Sequence, residues 1–222
     1  MHNKAVIITG HTSGLGAELA KLFEARGYMV VGVSRSRATT AGSRIHIQGS
    51  VADPHTIDQV VTEISRRGLI VEALINSAGI GNFGPVGDYT AAQISDVIDS
   101  SLTGPILLTN AIVKMWNQVK QDSGYIVNIL STAAFTARGG EAVYCAAKAG
   151  LKMFGDALRL QMKGSPFTVI NIMPGGMNTP FWSGDPKASS FMSVSDVALI
   201  ILQSFDSRPT ALVTDIVVNR RG

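Results

Sequence analysis

Short apolar runs rich in β-branched residues alternate with segments of helical periodicity along the chain. Such runs are typical of buried strands, whereas apolar residues three and four positions apart indicate one face of a helix. The pattern predicts seven strands, over residues 5–9, 29–34, 44–49, 71–79, 125–132, 167–173 and 211–218. Because helical segments separate them with short connections, we expect an α/β fold, a Rossmann-type doubly wound parallel β-sheet with helices on both faces.

Local signals mark where several helices begin and end. Asp53-Pro54 offers an N-cap followed by a proline at the first helical position, and Gly68 ends that helix. Thr90 is the predicted cap of a long helical region that runs to about residue 119, with Pro105 as an interruption or a fresh start. Two further helices are predicted over residues 142–162 and 194–205.

A glycine-rich segment, TGHTSGLG over residues 9–16, joins the first strand to the first helix. Gly10 permits a tight turn, Gly14 lets the backbone approach a pyrophosphate, and Gly16 lets the helix pack close to the sheet. The helix N-terminus offers free N–H groups and the positive end of a dipole to phosphate. A glycine-rich connection without a ligand is the alternative, which the spacing and the strand–turn–helix context disfavour.

Three residues separate the first two glycines of this turn, and that spacing resembles the short-chain dehydrogenase/reductase family. The resemblance covers nearly the whole chain and implies one NAD(P)-binding domain over residues 1–222. It also implies that the turn binds the cofactor through Gly10, Ser13, Gly14, Leu15 and Gly16.

The residue at the end of the second strand decides whether the site accepts a cofactor with a free ribose 2′-hydroxyl or one with a 2′-phosphate. A carboxylate there would accept hydrogen bonds from the hydroxyls and repel a phosphate. This chain has Ser34 followed by Arg35, with Arg37 two positions further on. Since a guanidinium matches phosphate geometry, we predict that NADP(H) is favoured and that NAD(H) is possible. A solvated arginine in a loop is the alternative.

The resemblance also implies contacts on the adenosine side of the cofactor. The segment NSAG closes the fourth strand, where Asn76, Ala78 and Gly79 match the family's pattern. After the third strand, Ser50 stands where the family tends to have an aspartate, so adenine recognition is expected to involve Val51 and its neighbours' backbone.

Three residues at the end of the fifth strand and on the helix that follows it are expected to carry the chemistry. Ser131 precedes Tyr144 by the family's usual thirteen residues, and Lys148 lies one helical turn beyond the tyrosine on the same face. Carbonyl reduction needs a proton for the developing alkoxide, and an ammonium about 4 Å from the phenol would lower its pKa by up to roughly 3 units. The resemblance implies that Tyr144 and Lys148 contact the cofactor as well, and Ser131 is expected to donate to the substrate oxygen.

The turn after the sixth strand and the helix before the fifth complete the resemblance. Pro174-Gly175 turns the chain, and the family's pattern carries Met177 and Thr179 over as nicotinamide contacts. In SSLTG, Ser101 stands where many members have a fourth catalytic residue, an asparagine that holds a water for proton relay. We therefore include Ser101 among the catalytic candidates.

The connection after Thr179 is short, with about a dozen residues before the next helix. Since this segment covers the substrate in the family, its length predicts an open or shallow pocket. Phe181 and Trp182 would form either the apolar wall of that pocket or part of the core.

Composition excludes several classes of protein. The 222 residues are 45% hydrophobic and 16% charged with a net charge of +3, and no long basic run suggests nucleic acid. Cys145 is the one cysteine, and the histidines show no metal-ligand spacing, so we expect neither disulfides nor a metal. His11, in the glycine turn, is expected to face solvent, and a position facing the phosphates is the alternative. No apolar run approaches about 18 residues, and we expect a cytoplasmic protein without a membrane partner.

These observations favour an NADP(H)-dependent oxidoreductase that interconverts a small-molecule carbonyl compound and an alcohol, with Tyr144 as general acid/base. The resemblance implies a homodimer or homotetramer through the helices that flank the fifth strand. One alternative is a catalytically weak NADP(H)-binding sensor or regulator, suggested by Ser101 and the short connection. Another is an enzyme of the same fold that reduces a pteridine or an enoyl group.

Overall fold

A single seven-stranded parallel sheet organises the computed structural model, which describes residues 3–37, 44–182, 185–206 and 211–221. The strand order is β3-β2-β1-β4-β5-β6-β7, which confirms the predicted fold class. The strands are β1 (Lys4–Thr9), β2 (Met29–Ser34), β3 (Ile45–Gln48), β4 (Ile70–Asn76), β5 (Gly124–Ile129), β6 (Phe167–Pro174) and β7 (Asp215–Val218).

Three predicted strands extended too far by three or more residues, and the prediction for β3 by one residue at each end. β4 ends at Asn76 rather than at residue 79, β5 ends at Ile129 rather than at residue 132, and residues 211–214 precede β7 without belonging to it. At the ends of β4 and β5 the chain leaves the sheet where small and polar residues begin, since these residues line a crevice instead of packing between layers.

Within the described ranges six α-helices cover the sheet, and capping signals explain the bounds of two of them. They are α1 (Gly14–Ala25), α2 (Pro54–Arg67), α3 (Ala91–Ile98), α4 (Gly104–Gln118), α5 (Ala142–Gln161) and α6 (Val194–Gln203). The Asp53 side chain accepts from the backbone N–H of His55 at 3.1 Å, and Gly68 ends α2 in the left-handed region at φ 60°. Thr90 forms a reciprocal capping box with Gln93. The predicted caps of both helices are confirmed.

The long helical region after Thr90 is broken by a π-helical turn, Asp99–Thr103, directly before Pro105. Proline has no N–H to donate to the carbonyl four residues earlier, which belongs to Ser101. The helix therefore widens at this point, and Ser101 is fully buried within the turn. Such turns recur at functional sites.

Hydrophobic layers fill both faces of the sheet. Alternate β1 residues enter opposite layers, so that Ile7 packs with Ile112 and Trp116 on one face, while Ile8 packs with Leu19 on the other. A sheet buried on both faces explains why its strands are almost continuously apolar rather than alternating.

A row of buried asparagines crosses the centre of the sheet. Asn76, Asn128 and Asn171 are register partners on β4, β5 and β6. The Asn76 amide donates to Asn128 at 3.0 Å, and the Asn128 amide donates to Asn171 at 3.2 Å. Gly155 lets α5 lie directly on this row, because a Cβ there would stand 2.3 Å from the Asn171 amide oxygen. The Asn171 amide continues the row by donating to Asp156 on α5 at 3.0 Å.

The prediction for His11 is wrong, because its side chain is buried rather than facing solvent. The ring covers Gly32 of β2, where a Cβ would stand 2.3 Å from it, and His11 Nε2 lies 2.8 Å from His46 Nδ1 on β3. His11 is 1% exposed. A histidine fits here because Gly32 leaves space for the ring and the neighbouring strand supplies its hydrogen-bond partner.

Burial makes this histidine a source of acid sensitivity. Desolvation first, and the nearby charges of His46 and Arg44 next, lower the pKa of His11 from 6.5 to about 4. The unfolded chain therefore takes up a proton that the folded chain resists, and stability falls as pH drops from 6.5 towards 4. His11→Phe keeps a ring over Gly32 but removes the titrating group. We expect its unfolding free energy, measured with urea, to fall between pH 6.5 and 4 by on the order of 2 kcal/mol less than that of the parent protein.

The matched control is His55→Gln, which removes an exposed histidine from α2. Its unfolding free energy should change with pH as that of the parent protein does. An equal pH dependence in the parent protein and His11→Phe would contradict the assignment.

Candidate active site

A crevice of about 160 Å³ lies where the carboxyl ends of β1, β4, β5 and β6 meet. This edge is where open parallel sheets bind ligands. Fourteen of the predicted site residues line it: Gly10, Ser13, Gly14, Leu15, Gly16, Ala78, Gly79, Ser131, Tyr144, Lys148, Pro174, Gly175, Met177 and Thr179. Segments far apart in the sequence thus surround one space.

The turn between β1 and α1 has a backbone that requires glycine. Gly10 and Gly14 have φ angles of 70° and 51°, in the left-handed region that side chains rarely adopt. At Gly16 the obstacle is space, because a Cβ would stand 2.4 Å from the carbonyl oxygen of Gly10. The turn therefore closes tightly against the start of α1.

The start of α1 suits an anion. Ser13 occupies the N-cap position, yet its side chain makes no capping hydrogen bond, and the first turn contains no acidic residue. The backbone N–H groups of this turn have no intrahelical partners. Thr179 reaches across from the segment after β6, and a Cβ on Gly14 would lie 3.3 Å from its methyl group. These features fit a cofactor pyrophosphate, held by backbone N–H groups beneath Thr179.

Ser131, Tyr144 and Lys148 meet on the opposite side of the crevice. Ser131 follows β5 by two residues and accepts from the backbone N–H of Ala133 at 3.1 Å. The Ser131 side chain also interacts with the Tyr144 phenol, and this interaction lowers the pKa of the phenol. Lys148 Nζ donates to the carbonyl oxygen of Ile129 at 2.9 Å and lies 5.6 Å from the centre of the Tyr144 ring.

The predicted lowering of the Tyr144 pKa is not what the structure shows. Burial raises the pKa of the phenol to about 12, although the neighbouring Ser131 side chain opposes this shift. Burial also lowers the pKa of the Lys148 ammonium to about 8. The reason for the difference is that desolvation acts on both partners, because each loses water that would stabilise its charged form. Tyr144 is therefore a protonated donor at neutral pH.

Ser101 lies beside this group although it is not part of the crevice wall. A Cβ on Gly79 would stand 3.2 Å from Ser101 Oγ and 3.5 Å from Lys148 Nζ, so both polar groups flank the same glycine. The Ser101 hydroxyl is fully buried and has no hydrogen-bond partner. A buried orphan hydroxyl next to a lysine is a place where a water can bind.

The other predicted cofactor residues lie outside the crevice. Asn76 belongs to the asparagine row, and Val51 packs against Gly104 of α4. The Ser34 hydroxyl donates to the carbonyl oxygen of Ser36 at 2.8 Å. The Arg35 guanidinium lies 3.6 Å from the Asp96 carboxylate, and both side chains are more than half exposed.

Sequence reasoning missed several lining residues, among them Ser77, Leu130, Arg138 and Gly176. Ser77, Leu130 and Gly176 follow strand ends and Arg138 lies shortly before the start of α5, and these positions are the signal that could have found them. Phe181 and Trp182 do line the crevice.

An aromatic cluster forms the wall on that side. The Phe83 ring centre lies 5.4 Å from that of Trp182 and 5.7 Å from that of Tyr144. The connection after Thr179 contains two short 3₁₀ turns, Pro180–Trp182 and Ala188–Ser190, while Ser183 and Gly184 lie outside the described residues. Among the described helices, none is long and apolar enough to span a membrane.

Comparison with known proteins finds a matching family model, related sequences and solved structures of the same fold. The family model described as short chain dehydrogenase matches residues 4–189. The ketoacyl reductase HetN of Nostoc sp. is 28% identical over 96% of this chain and 78% of its own length. The crystal structure of a short-chain dehydrogenase/reductase from Vibrio parahaemolyticus has a TM-score of 0.84 and 33% identity, covering 97% of this chain and all of its own.

A likeness in fold extends to more distant structures. The closed form of a serine dehydrogenase complexed with NADP⁺ has a TM-score of 0.86, with 22% identity over 98% of this chain and 94% of its own.

Proposed function

Since this chain belongs to the short chain dehydrogenase family, we propose that it is an NADP(H)-dependent oxidoreductase interconverting a ketone or aldehyde with an alcohol. The observation that carries the proposal is the meeting of Ser131, Tyr144 and Lys148 in the crevice that the glycine turn also lines. The relative named as a ketoacyl reductase supports this class of reaction, and the fold neighbours complexed with NADH or with NADP⁺ support a nicotinamide cofactor of either kind.

The three residues have separate roles in the reductive direction. When bound, NADPH supplies a hydride to the carbonyl carbon. Tyr144, protonated because burial raises its pKa to about 12, donates its proton to the carbonyl oxygen. Ser131 donates a hydrogen bond to that oxygen and stabilises the negative charge that develops there. Lys148 has a pKa of about 8, so it is protonated at lower pH and stabilises the tyrosinate that remains after proton transfer.

Ser101 is proposed to hold the water that returns a proton to this group. Its orphan hydroxyl shares the space above Gly79 with Lys148 Nζ. A serine is shorter than the asparagine of many family members, so the π-helical turn that buries it serves to bring the hydroxyl towards the lysine.

The preference for NADP(H) rests on charge at the end of β2. No carboxylate follows that strand, and Arg35 has one exposed partner, Asp96 at 3.6 Å. Exposed ion pairs contribute about 0–1 kcal/mol, so exchange of Asp96 for a bidentate 2′-phosphate is favourable. Arg37 is exposed nearby and adds to the positive charge.

We expect kcat/KM with NADPH to exceed that with NADH by at least about tenfold, the effect of one hydrogen bond to a charged group. Arg35→Gln should abolish most of the preference for NADPH over NADH. Asp96→Asn should increase that preference, because it frees the Arg35 guanidinium. Efficiency with NADH serves as the internal control and should stay the same in both variants. A clear preference of the parent protein for NADH would overturn the assignment.

The proposed activity is tested by a panel of ketones, aldehydes, pteridines and enoyl compounds, with oxidation of NADPH as the readout. Turnover of carbonyl compounds supports the proposal, and turnover restricted to pteridines or enoyl compounds assigns another bond. Tight binding of NADPH without turnover of any compound would instead support the sensor.

The described surface of α4 and α5 supports self-association, as the resemblance implies. Leu107 on α4 and Met153 and Leu160 on α5 are exposed, and the last two lie seven residues apart on one face. We expect sedimentation velocity to give at least a dimer, and Leu160→Glu to shift it towards the monomer. A monomeric parent protein would contradict this expectation.

A further inference from the structure

A second cleft opens beside the crevice, at the carboxyl ends of β5, β6 and β7. It is an open cleft of about 470 Å³, and small-molecule sites have volumes of about 300–1,000 Å³. Its lining includes Arg138, Lys187, Arg220 and Arg221 and, among the described residues, no aspartate or glutamate. The whole chain has 19 basic and 16 acidic residues, so this cleft concentrates positive charge.

Arg138 joins the two spaces, because it lines both the crevice and the cleft. Its guanidinium donates to Thr132 Oγ1 at 2.5 Å and lies 3.7 Å from the Glu141 carboxylate. Five N–H groups are available to an arginine, so these contacts leave donors for a ligand. Gly175 and Gly176 also line both spaces and place no side chain between them.

The remaining cations have no acidic partner among the described residues. Lys187 and Arg221 have no ion-pair partner in the part of the chain that the structure describes, and Arg220 is held by two 3.1 Å hydrogen bonds to Ser190. Like charges held around one cleft repel each other and cost stability. A bound anion would offset that cost, and its position would be adjacent to Ser131 and Tyr144.

We propose that the substrate is a small carbonyl compound with an anionic oxygen group, a carboxylate or a phosphate. The carbonyl lies between Ser131 and Tyr144, and the anionic group lies in the cleft against Arg138 and the neighbouring cations. This inference rests on the proposed function and adds to it the substrate class and Arg138, Lys187 and Arg221 as specificity-determining residues.

Matched pairs of substrates test the inference. The pairs are 4-oxopentanoate with its methyl ester and dihydroxyacetone phosphate with dihydroxyacetone, so the two arms separate carboxylate from phosphate. In at least one pair we expect kcat/KM to be at least about tenfold higher for the anion, the effect of one hydrogen bond to a charged group. The preference should shrink as salt is added, because screening weakens contacts between exposed charges.

Charge variants locate the effect. The double variant Lys187→Gln/Arg221→Gln and the single variant Arg138→Gln should each lower the anionic-to-neutral ratio about tenfold. Arg138→Lys should restore part of it, since a charge remains without the bidentate geometry. The matched control is Lys163→Gln, which removes an exposed charge before the amino end of β6 and should change nothing.

The outcomes separate this inference from the proposed function. Equal efficiency for anions and neutral partners in both pairs would overturn the inference while leaving the carbonyl reductase intact. If no carbonyl compound is turned over, the proposed function fails, and titration calorimetry with glutarate and inorganic phosphate tests the cleft itself. Tighter binding by the parent protein than by the double variant would support an anion site, and equal binding would overturn it.

Discussion

Tyr144→Phe should lower kcat by at least about 10²-fold, the usual contribution of a positioned general acid. The phenol is buried and protonated, with a pKa of about 12. The Ser131 side chain lies beside it in the crevice. Phenylalanine keeps the ring contacts with Phe83 and Phe181 but removes the proton. Binding of NADPH, followed by its fluorescence, should stay within about tenfold of the parent value, because a lost neutral hydrogen bond contributes about 0.5–1.5 kcal/mol.

Tyr89→Phe is the control for this substitution. Its hydroxyl donates to the carbonyl oxygens of Asn82 and Gly140 but does not line the crevice. We expect its kcat to match that of the parent protein. Normal turnover by Tyr144→Phe would show that Tyr144 is not the general acid. Ser131 would then be the remaining donor to the substrate oxygen.

Gly16→Ala should weaken cofactor binding on the order of 10²-fold, because it forces the glycine turn open. The added Cβ would stand 2.4 Å from the Gly10 carbonyl oxygen and 2.8 Å from the Gly10 carbonyl carbon. Both contacts are to backbone, so no side chain can rotate away. Overpacking of this kind costs about 1–3 kcal/mol, and the movement also displaces the N–H groups at the start of α1. Titration calorimetry with NADP⁺ measures the loss.

Gly84→Ala is the matched control, since the same methyl group there would meet no atom within 4 Å. Its affinity for NADP⁺ should equal that of the parent protein. Circular dichroism distinguishes a locally opened turn, which keeps the helical signal, from loss of the fold. Unchanged affinity in a folded Gly16→Ala protein would show that the turn does not carry the cofactor's phosphates.

The sequence predicted the elements well because five of the seven described strands are largely buried and two helices, α2 and α3, carry their own end signals. Asp53, Gly68 and Thr90 mark helix ends through contacts within a few residues, so no knowledge of the tertiary structure is needed. Bounds failed at the ends of β4 and β5, where apolar or small residues continue past the last ladder contact.

The candidate site was predictable as far as it follows strand ends and helical spacing. The side-chain environment was not, because it depends on neighbours far away in the sequence. His11 is buried only because Gly32 is a glycine and His46 lies on the next strand. The direction of the Tyr144 pKa shift depends on how much water reaches the phenol, which the spacing between Tyr144 and Lys148 does not encode. The basic cleft likewise forms from four separate segments.

The asparagine row has a consequence for how the sheet assembles. β4, β5 and β6 are brought together from segments 52 and 43 residues apart, as measured between Asn76, Asn128 and Asn171. A slip of one residue between β5 and β6 would set the Asn128 amide against isoleucine and turn it to the opposite face. Each buried amide left unpaired costs about 1–3 kcal/mol. The asparagine row therefore disfavours a misaligned sheet during folding. It also fixes the relative positions of the strand ends that carry Ser131 and Pro174, without any contribution from a ligand.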